Sequence, residues 1–333
     1  MSRKTVLELL KGADGAYLSG EEMCEMLGVS RAAVWKAVNA LRRDGWEIEA
    51  VTGRGYRLLG EPDKLDRESV LAHLGRTAVV GRRLDCMASI DSTNSYLKRI
   101  AADGAPDGTV AVADEQTGGR GRRARSFSSP PGKGIYLSAL LRPACAASEL
   151  MTLTGFVAVA MCSAIERTAK VRPQIKWTND LVLGGKKLCG ILTELSVEGE
   201  SGALQYAIPG IGVNVAQEQE DFPGELRTIA TSLFLQTGRR VSRAALAAAM
   251  IEELDRLYAA LRSGDTADYL ARYRSDCLTI GREVQLLWRD ASERVRALGV
   301  DDELGLIVRR ADGREETIRT GEVSVRGLYG YVE

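Results

Sequence analysis

The chain has 333 residues, enough for two or three domains at about 150 residues each, and its 45 basic and 45 acidic residues leave a formal net charge of 0. A single histidine, His73, excludes a cluster of imidazole ligands and leaves any Ser-His-Asp or Cys-His triad dependent on that one residue. The six cysteines, Cys24, Cys86, Cys145, Cys162, Cys189 and Cys277, form no CxxC pair. A zinc ribbon, an iron–sulfur cluster and a thioredoxin-type motif therefore lack support, and the sparse thiols fit a reducing compartment.

Met1 to Leu10 reads as a short amphipathic helix, not a secretory signal. The longest uncharged run, between Glu149 and Glu166, falls short of the ~20 residues of a membrane span. The expectation is a soluble, cytoplasmic protein with no membrane partner. The neutral total hides two basic zones. Residues 31–57 carry six bases and three acids, and residues 116–148 carry six bases and no acid.

Residues 3–11 supply a first helix through Val6, Leu9 and Leu10. Ser19-Gly20-Glu21-Glu22 is a capping box that opens a second, and Gly28 suits its left-handed end. Ser30 caps a third, with Val34, Ala37, Val38 and Leu41 on one face and Arg31, Trp35, Lys36 and Arg42 on the other. Trp46, Ile48 and Ala50 alternate, Thr52-Gly53-Arg54-Gly55 turns the chain, and Tyr56 and Leu58 alternate again. This is the pattern of a winged helix-turn-helix that reads DNA. Ser30, Arg31 and Lys36 are the expected base readers, with Arg42, Arg43 and Arg54 on phosphates. A basic helix face is otherwise simply a solvated one.

Beyond a linker at Glu61-Pro62-Asp63-Lys64, strands and helices alternate. Strands are expected at 84–90, 109–113, 135–141, 175–183, 188–195 and 204–215, and helices from Asp91-Ser92-Thr93-Asn94, over 150–168, from Ser242 to 261 and over 267–273. The fold class is α+β and multidomain: an N-terminal winged helix-turn-helix, a central mixed sheet with helices, and a small C-terminal β-barrel. The barrel is read from short strands at 284–288, 295–300, 304–308 and 316–318 with an Asp312-Gly313 turn. The boundaries are 1–62, 63–275 and 276–333.

Gly119 to Ala124 matches G-x-G-x-x-A formally, but Ser128-Ser129-Pro130-Pro131-Gly132 follows, where a dinucleotide fold needs a helix. Neither Gly132-Lys133-Gly134 nor Gly185-Lys186-Lys187 has the Walker spacing. Four arginines interleaved with glycine describe a loop that wraps anionic groups. Composition alone leaves a phosphate loop, a solvated loop and a nucleic-acid patch equally open. Lys176 and Asn179, three apart on one expected strand, point to opposite faces unless the strand bends.

Five segments, in order and spacing, resemble the motifs of biotin–protein ligases. They are Asp91-Ser92-Thr93-Asn94, Gln116-Thr117-Gly118-Gly119-Arg120-Gly121-Arg122-Arg123, Lys176-Trp177-Thr178-Asn179-Asp180, Lys187-Leu188-Cys189-Gly190-Ile191-Leu192, and Gly210-Ile211-Gly212-Val213-Asn214-Val215. With the winged helix in front, the chain resembles the bifunctional ligases that also repress a biotin operon. The family pattern has Gly and Trp where Ala124 and Phe127 stand, and Pro where Thr178 stands.

The resemblance implies that a biotin carboxylate attacks the α-phosphorus of ATP with Mg²⁺, and that a lysine of a biotin carboxyl carrier protein then takes biotin from biotinyl-5′-AMP. Ser92, Thr93, Asn94 and Gln116 would hold the biotin head group. Gly121 belongs to the loop in which Arg120 and Arg122 would close over carboxylate and phosphates, and Lys187 would stabilise charge where they meet. Lys176, Asn179 and Asn214 would serve ATP, and Asp180 would help Mg²⁺ or the incoming amine. The resemblance also implies an SH3-like C-terminal barrel and an adenylate-bound homodimer on operator DNA. A lipoate-type ligase and a repressor that senses ligand without turnover remain the alternatives.

Overall fold

The computed structural model describes residues 3–122, 125–143, 150, 152–198, 203–287, 292–319 and 322–325. Met1, Arg123, Ala124, Cys145 and Glu149, named above, lie outside the described residues, as does position 288 at the end of an expected strand. The chain separates into two units, Met1–Lys64 and Leu65–Glu333.

The first unit contains α1 (Arg3–Gly12), α2 (Gly20–Leu27), α3 (Arg31–Arg43), β1 (Glu47–Val51) and β2 (Gly55–Gly60). The capping box forms at both contacts: Glu22 N donates to Ser19 Oγ at 3.0 Å, and Ser19 N to Glu22 Oε2 at 2.8 Å. Gly28 ends α2 at φ 61°, a left-handed conformation that any Cβ disfavours. Val6, Leu10, Met23, Val34, Val38, Leu41 and Ile48 bury together as the core. The β1–β2 hairpin is tied to the lead of α2 by Tyr56 N on Leu18 O, 2.8 Å. That approach needs Gly55, where a Cβ would stand 2.1 Å from the Leu18 oxygen.

The second unit opens with α4 (Arg67–His73), β3 (Leu84–Met87), α5 (Thr93–Ala102), β4 (Val110–Ala113), β5 (Gly134–Ala139) and α6 (Leu153–Ala169). Next come β6 (Gln174–Lys176), β7 (Asp180–Leu183), β8 (Lys186–Val197) and β9 (Leu204–Asn214). Helices α7 (Leu226–Ile229), α8 (Leu233–Thr237), α9 (Arg243–Ser263) and α10 (Ala267–Asp276) follow. The sheet order is β3-β4-β5-β9-β8-β7-β6. Only β3 and β4 run parallel among these neighbours, so the sheet is mixed.

Packed cores lie on both faces of β4, so that strand is buried and apolar throughout rather than alternating. Val110 and Val112 enter the large core shared with α6 and α9, while Ala111 faces a smaller one with Leu97 and Ala101 of α5. Helix α6 lies deep in that core, with Leu153, Phe156, Val157, Met161 and Ile165 all buried. Each such side chain contributes about 1.5–3 kcal/mol through burial.

One expected strand is divided. The span read as 175–183 reverses at Trp177-Thr178-Asn179 into the hairpin β6–β7, in which Lys176 faces Asp180 across the ladder. Trp177 is buried and holds this reversal in place, its N donating to Thr279 Oγ1 at 3.0 Å and its Nε1 to Leu304 O at 2.8 Å.

Strands β10 (Glu283–Leu287), β11 (Ser292–Val300), β12 (Leu306–Arg309), β13 (Glu315–Ile318) and β14 (Glu322–Val325) form an antiparallel sheet in the order β13-β12-β11-β10-β14. The last strand was not anticipated. Val284, Leu286, Val295, Ala297, Leu304 and Leu306 share the core of the large sheet. Gly155 of α6 permits that contact, since a Cβ there would lie 2.3 Å from Leu304 Cδ1 and 2.9 Å from Tyr273 Cε2.

Candidate functional site

In the N-terminal unit, Ser30 caps α3 by accepting from Ala33 N at 3.3 Å. Arg31, Trp35, Lys36 and Arg43 are exposed along that helix. Arg31 pairs with Glu21 at 3.0 Å in water, an interaction that DNA phosphates would outcompete at little cost. Arg54 sits at the hairpin tip with its guanidinium 5.8 Å from the Tyr17 ring centroid.

Arg42 is exposed as well, with part of its guanidinium engaged within the unit. Its Nε and Nη2 both donate to Ile48 O, at 2.9 and 2.6 Å. The β1 backbone returns under α3 and engages this guanidinium, so Arg42 fixes the wing to the helix. A helical face read in one dimension does not show the strand that folds back onto it.

In the second unit, a cavity of about 260 Å³ lies over β8 and β9, and all the expected biotin, ATP and metal residues line it. At one end the polar groups are uncharged and interlocked. Thr93 N and Oγ1 donate to Gln116 Oε1 at 2.9 and 3.0 Å, and Gln116 Nε2 donates to Ser129 Oγ at 3.1 Å. Ser138, on buried β5, donates to Asn94 Oδ1 at 2.6 Å and lies 2.7 Å from Thr93 Oγ1. Ser92 caps α5 and is buried beside them.

Asn94 Nδ2 in turn donates to Glu194 Oε2 at 2.8 Å, and Glu194 pairs with Lys98 at 2.6 Å and Arg120 at 3.2 Å. Burial pushes the Glu194 carboxyl up, but the hydrogen bonds from Lys98 and Asn94, with the charges of Lys98 and Arg120, outweigh it and hold the group below its ordinary 4.5.

The glycine-arginine loop folds back on itself, Gly121 N donating to Arg125 O at 2.7 Å. Arg122 Nη1 donates to Thr178 Oγ1 at 3.2 Å and to Asn179 Oδ1 at 2.9 Å. The reversal of the chain at Thr178 therefore puts Asn179 at the site with Lys176, which a straight strand would have separated. Phe127 keeps an aromatic wall where the family pattern has Trp. Its ring lies over Gly212, where a Cβ would come within 2.4 Å of Cε1, and 3.3 Å from a Cβ on Gly190.

Lys187 leads β8 and curls over Gly190, where a Cβ would stand 3.3 Å from its Nζ. The ammonium reaches Asp180, Gly190's partner across the β7–β8 ladder, at 2.7 Å. Asp180, expected to help Mg²⁺ or the incoming amine, is here engaged by a cation of the chain itself. No group of three or more His, Cys, Asp or Glu side chains among the described residues could hold a metal ion. The donors fit no protein-built magnesium site, and magnesium would have to arrive coordinated by nucleotide phosphates.

Asn214, expected to contact ATP, has both amide ends engaged: Nδ2 donates to Thr231 O at 3.0 Å and Oδ1 accepts from Gln217 Nε2 at 3.1 Å. Ser129, Ser138, Glu194 and Gln217 were not singled out in the sequence. Ser138 had a signal, the one serine in the otherwise apolar and aromatic run 135–141.

Residues 86–214 match the sequence model of the Biotin/lipoate A/B protein ligase family, and residues 2–57 match an HTH domain. The bifunctional ligase/repressor BirA of Bacillus subtilis (strain 168) is 36% identical over 311 residues, covering 93% of this chain and 95% of that protein. The chain belongs to this family. The bifunctional ligase/repressor BirA of Escherichia coli (strain K12) is 30% identical over 317 residues, 94% of each chain. Among solved structures, the biotin protein ligase from Aquifex aeolicus in complex with biotin and ATP superposes with a TM-score of 0.62 at 28% identity, over 74% of this chain and 99% of that one. Family membership makes the chain a biotin–protein ligase with a DNA-binding repressor unit. No helix among the described residues is long and apolar enough to cross a membrane.

Proposed function

We propose that the 260 Å³ cavity is where biotin and ATP are joined, because a neutral hydrogen-bonding end and the cations Lys187, Arg120 and Arg122 meet in one space. The uncharged network of Thr93, Asn94, Gln116 and Ser138 suits a ureido ring, which offers two N–H donors and one carbonyl. In the first step a biotin carboxylate oxygen bonds to the α-phosphorus and the bond to pyrophosphate breaks. In the second the amine of a carrier lysine attacks the biotinyl carbonyl, AMP leaves, and the amine loses a proton. Both nucleophiles belong to substrates, so the chain's contribution is positioning and charge stabilisation. Lys187 neutralises charge where carboxylate and α-phosphate approach, with Asp180 keeping its ammonium in place. Arg120 and Arg122 cover the same anions, and Lys176 and Asn179 support the nucleotide side. Asn214 acts behind Gln217 rather than on ATP directly.

The same reading keeps 1–62, 63–275 and 276–333 as functional segments, places the protein in the cytoplasm, and makes the adenylate-bound form a homodimer on operator DNA. Pyrophosphate release with Mg-ATP and either biotin or lipoate tests the enzyme half. Release with biotin is expected, and none would end the ligase reading. Gel shift on a dyad site with and without biotinyl-5′-AMP tests the repressor half. Binding indifferent to the adenylate would remove the switch, and sedimentation of the same two samples would report the dimer.

A further inference from the structure

Among the described residues, helix α3 carries the largest exposed apolar side chain of the N-terminal unit. Trp35 is 59% exposed, while Val34, Ala37, Val38 and Leu41 of the same helix are buried in the core. Trp46, in the same unit, is half-buried, with the Lys11 ammonium 4.8 Å from its ring centroid. No ring contact or hydrogen bond engages the Trp35 indole among the described residues. Its surroundings are basic. Arg31 lies four residues before it, one turn away on a shared face, and Lys36 follows it directly. Arg31, Lys36, Arg42 and Arg43 are all exposed with it.

An indole left in water is a large apolar surface, and the charges around it decide what can cover it. A second copy of this face would bring like charges together. Duplex DNA brings phosphates to the same arginines and lysine. The second helix of a helix-turn-helix reads base edges in the major groove with its N-terminal residues, and Trp35 stands in the second turn of α3. The apolar group that base edges present in that groove is the thymine C5-methyl. We infer that the Trp35 indole packs on a thymine methyl in each operator half-site and specifies thymine there, beside the polar contacts of Arg31 and Lys36. This inference deepens the repressor reading and rests on it.

The test starts from sites that the full chain, with biotinyl-5′-AMP, selects from duplexes of random sequence. In the selected duplex each thymine is replaced in turn by uracil, which lacks only the methyl, and binding is measured by fluorescence anisotropy at fixed salt. Wild type is expected to lose about fourfold per half-site at one thymine, the scale of one buried methyl. Trp35→Ala should bind the thymine and uracil duplexes equally there, with unchanged Tm because the ring is exposed. Trp35→Phe keeps an apolar ring without the indole N–H and should keep the discrimination. Equal binding of every uracil duplex by wild type, a measurement that needs no variant, would overturn the inference. So would a methyl sensitivity that Trp35→Ala leaves unchanged, or one that Trp35→Phe abolishes, which would assign the contact to the N–H. A Trp35→Ala chain that keeps the discrimination but no longer dimerises in sedimentation would overturn it too, and give the face to a second copy. Selection that enriches no sequence would overturn the repressor reading, and the inference with it.

Discussion

The two ends of the cavity are built on opposite plans. Around Thr93 and Asn94 the polar atoms are neutral, mutually bonded and carried by the buried first turn of α5 and by β5, a strand buried along its whole length. Around Lys187 and Arg122 the groups are charged, carried by a strand start, a hairpin reversal and a loop, and paired within the chain, Lys187 with Asp180 and Arg122 with Asn179. The first plan recognises shape and hydrogen-bond pattern before any ligand enters, because rigid neighbours fix each donor. The second keeps cations solvent-accessible and ordered until phosphates compete for them, so it recognises charge. A head group and a triphosphate need different kinds of pocket, and the fold supplies one of each within one space.

The strongest way to break the charged end is Lys187→Ala. Adenylate formation is expected to fall about 10²- to 10³-fold in kcat, the scale for removing one transition-state charge stabiliser. Asp180, with a side chain 15% exposed, would lose its 2.7 Å pair with Lys187, so Tm should fall as well. DNA binding by the unliganded protein should change far less. Single-turnover pyrophosphate release, thermal melting and gel shift separate these effects. A kcat within a few-fold of wild type would move Lys187 out of the chemistry.

The matching change at the neutral end is Gly210→Ala. A Cβ there would stand 2.1 Å from Asn94 Oδ1 and 2.8 Å from its Cγ, and Asn94 cannot yield without leaving Ser138, Leu192 and Glu194. Biotin KM is expected to rise about 10- to 100-fold as that network opens, with ATP KM within about threefold. Equal rises in both would show that the two ends are not independent.

Much of this was legible in the sequence, and the exceptions share a physical cause. The capping box at Ser19, the helix stop at Gly28 and the hairpin tip at Arg54 are local, so a few adjacent residues determine them. The candidate site residues were found as linear motifs, and one cavity gathers those outside the DNA-binding unit. What was not legible depends on contacts distant in the chain. The division of 175–183 is held by Trp177 reaching Leu304 O, more than a hundred residues away. Arg42 faces outward on a helical wheel, yet the wing backbone receives it. Gln217 looks like any loop glutamine until Asn214 and Thr231 fix its amide.

The smallest expected effect lies where the two plans touch. Glu194 accepts from neutral Asn94 and pairs with Lys98 and Arg120, so it couples the neutral network to the arginine loop. Glu194→Gln keeps the shape and removes the charge. Arg120 is then held less firmly, and kcat/KM for biotin should fall about 3- to 10-fold, because the pairs being weakened are partly exposed and screened. Since the folded carboxyl sits below the ordinary 4.5, its pairs contribute stability that is fully present above that value and is lost as pH falls through the lowered folded value. Wild type should therefore lose part of its Tm advantage over Glu194→Gln as pH drops below about 4.5, and the two melting curves should converge at lower pH. A Tm difference that stays constant with pH would show that Glu194 acts through packing alone, and the link between the two ends would have to be sought in the backbone of β8.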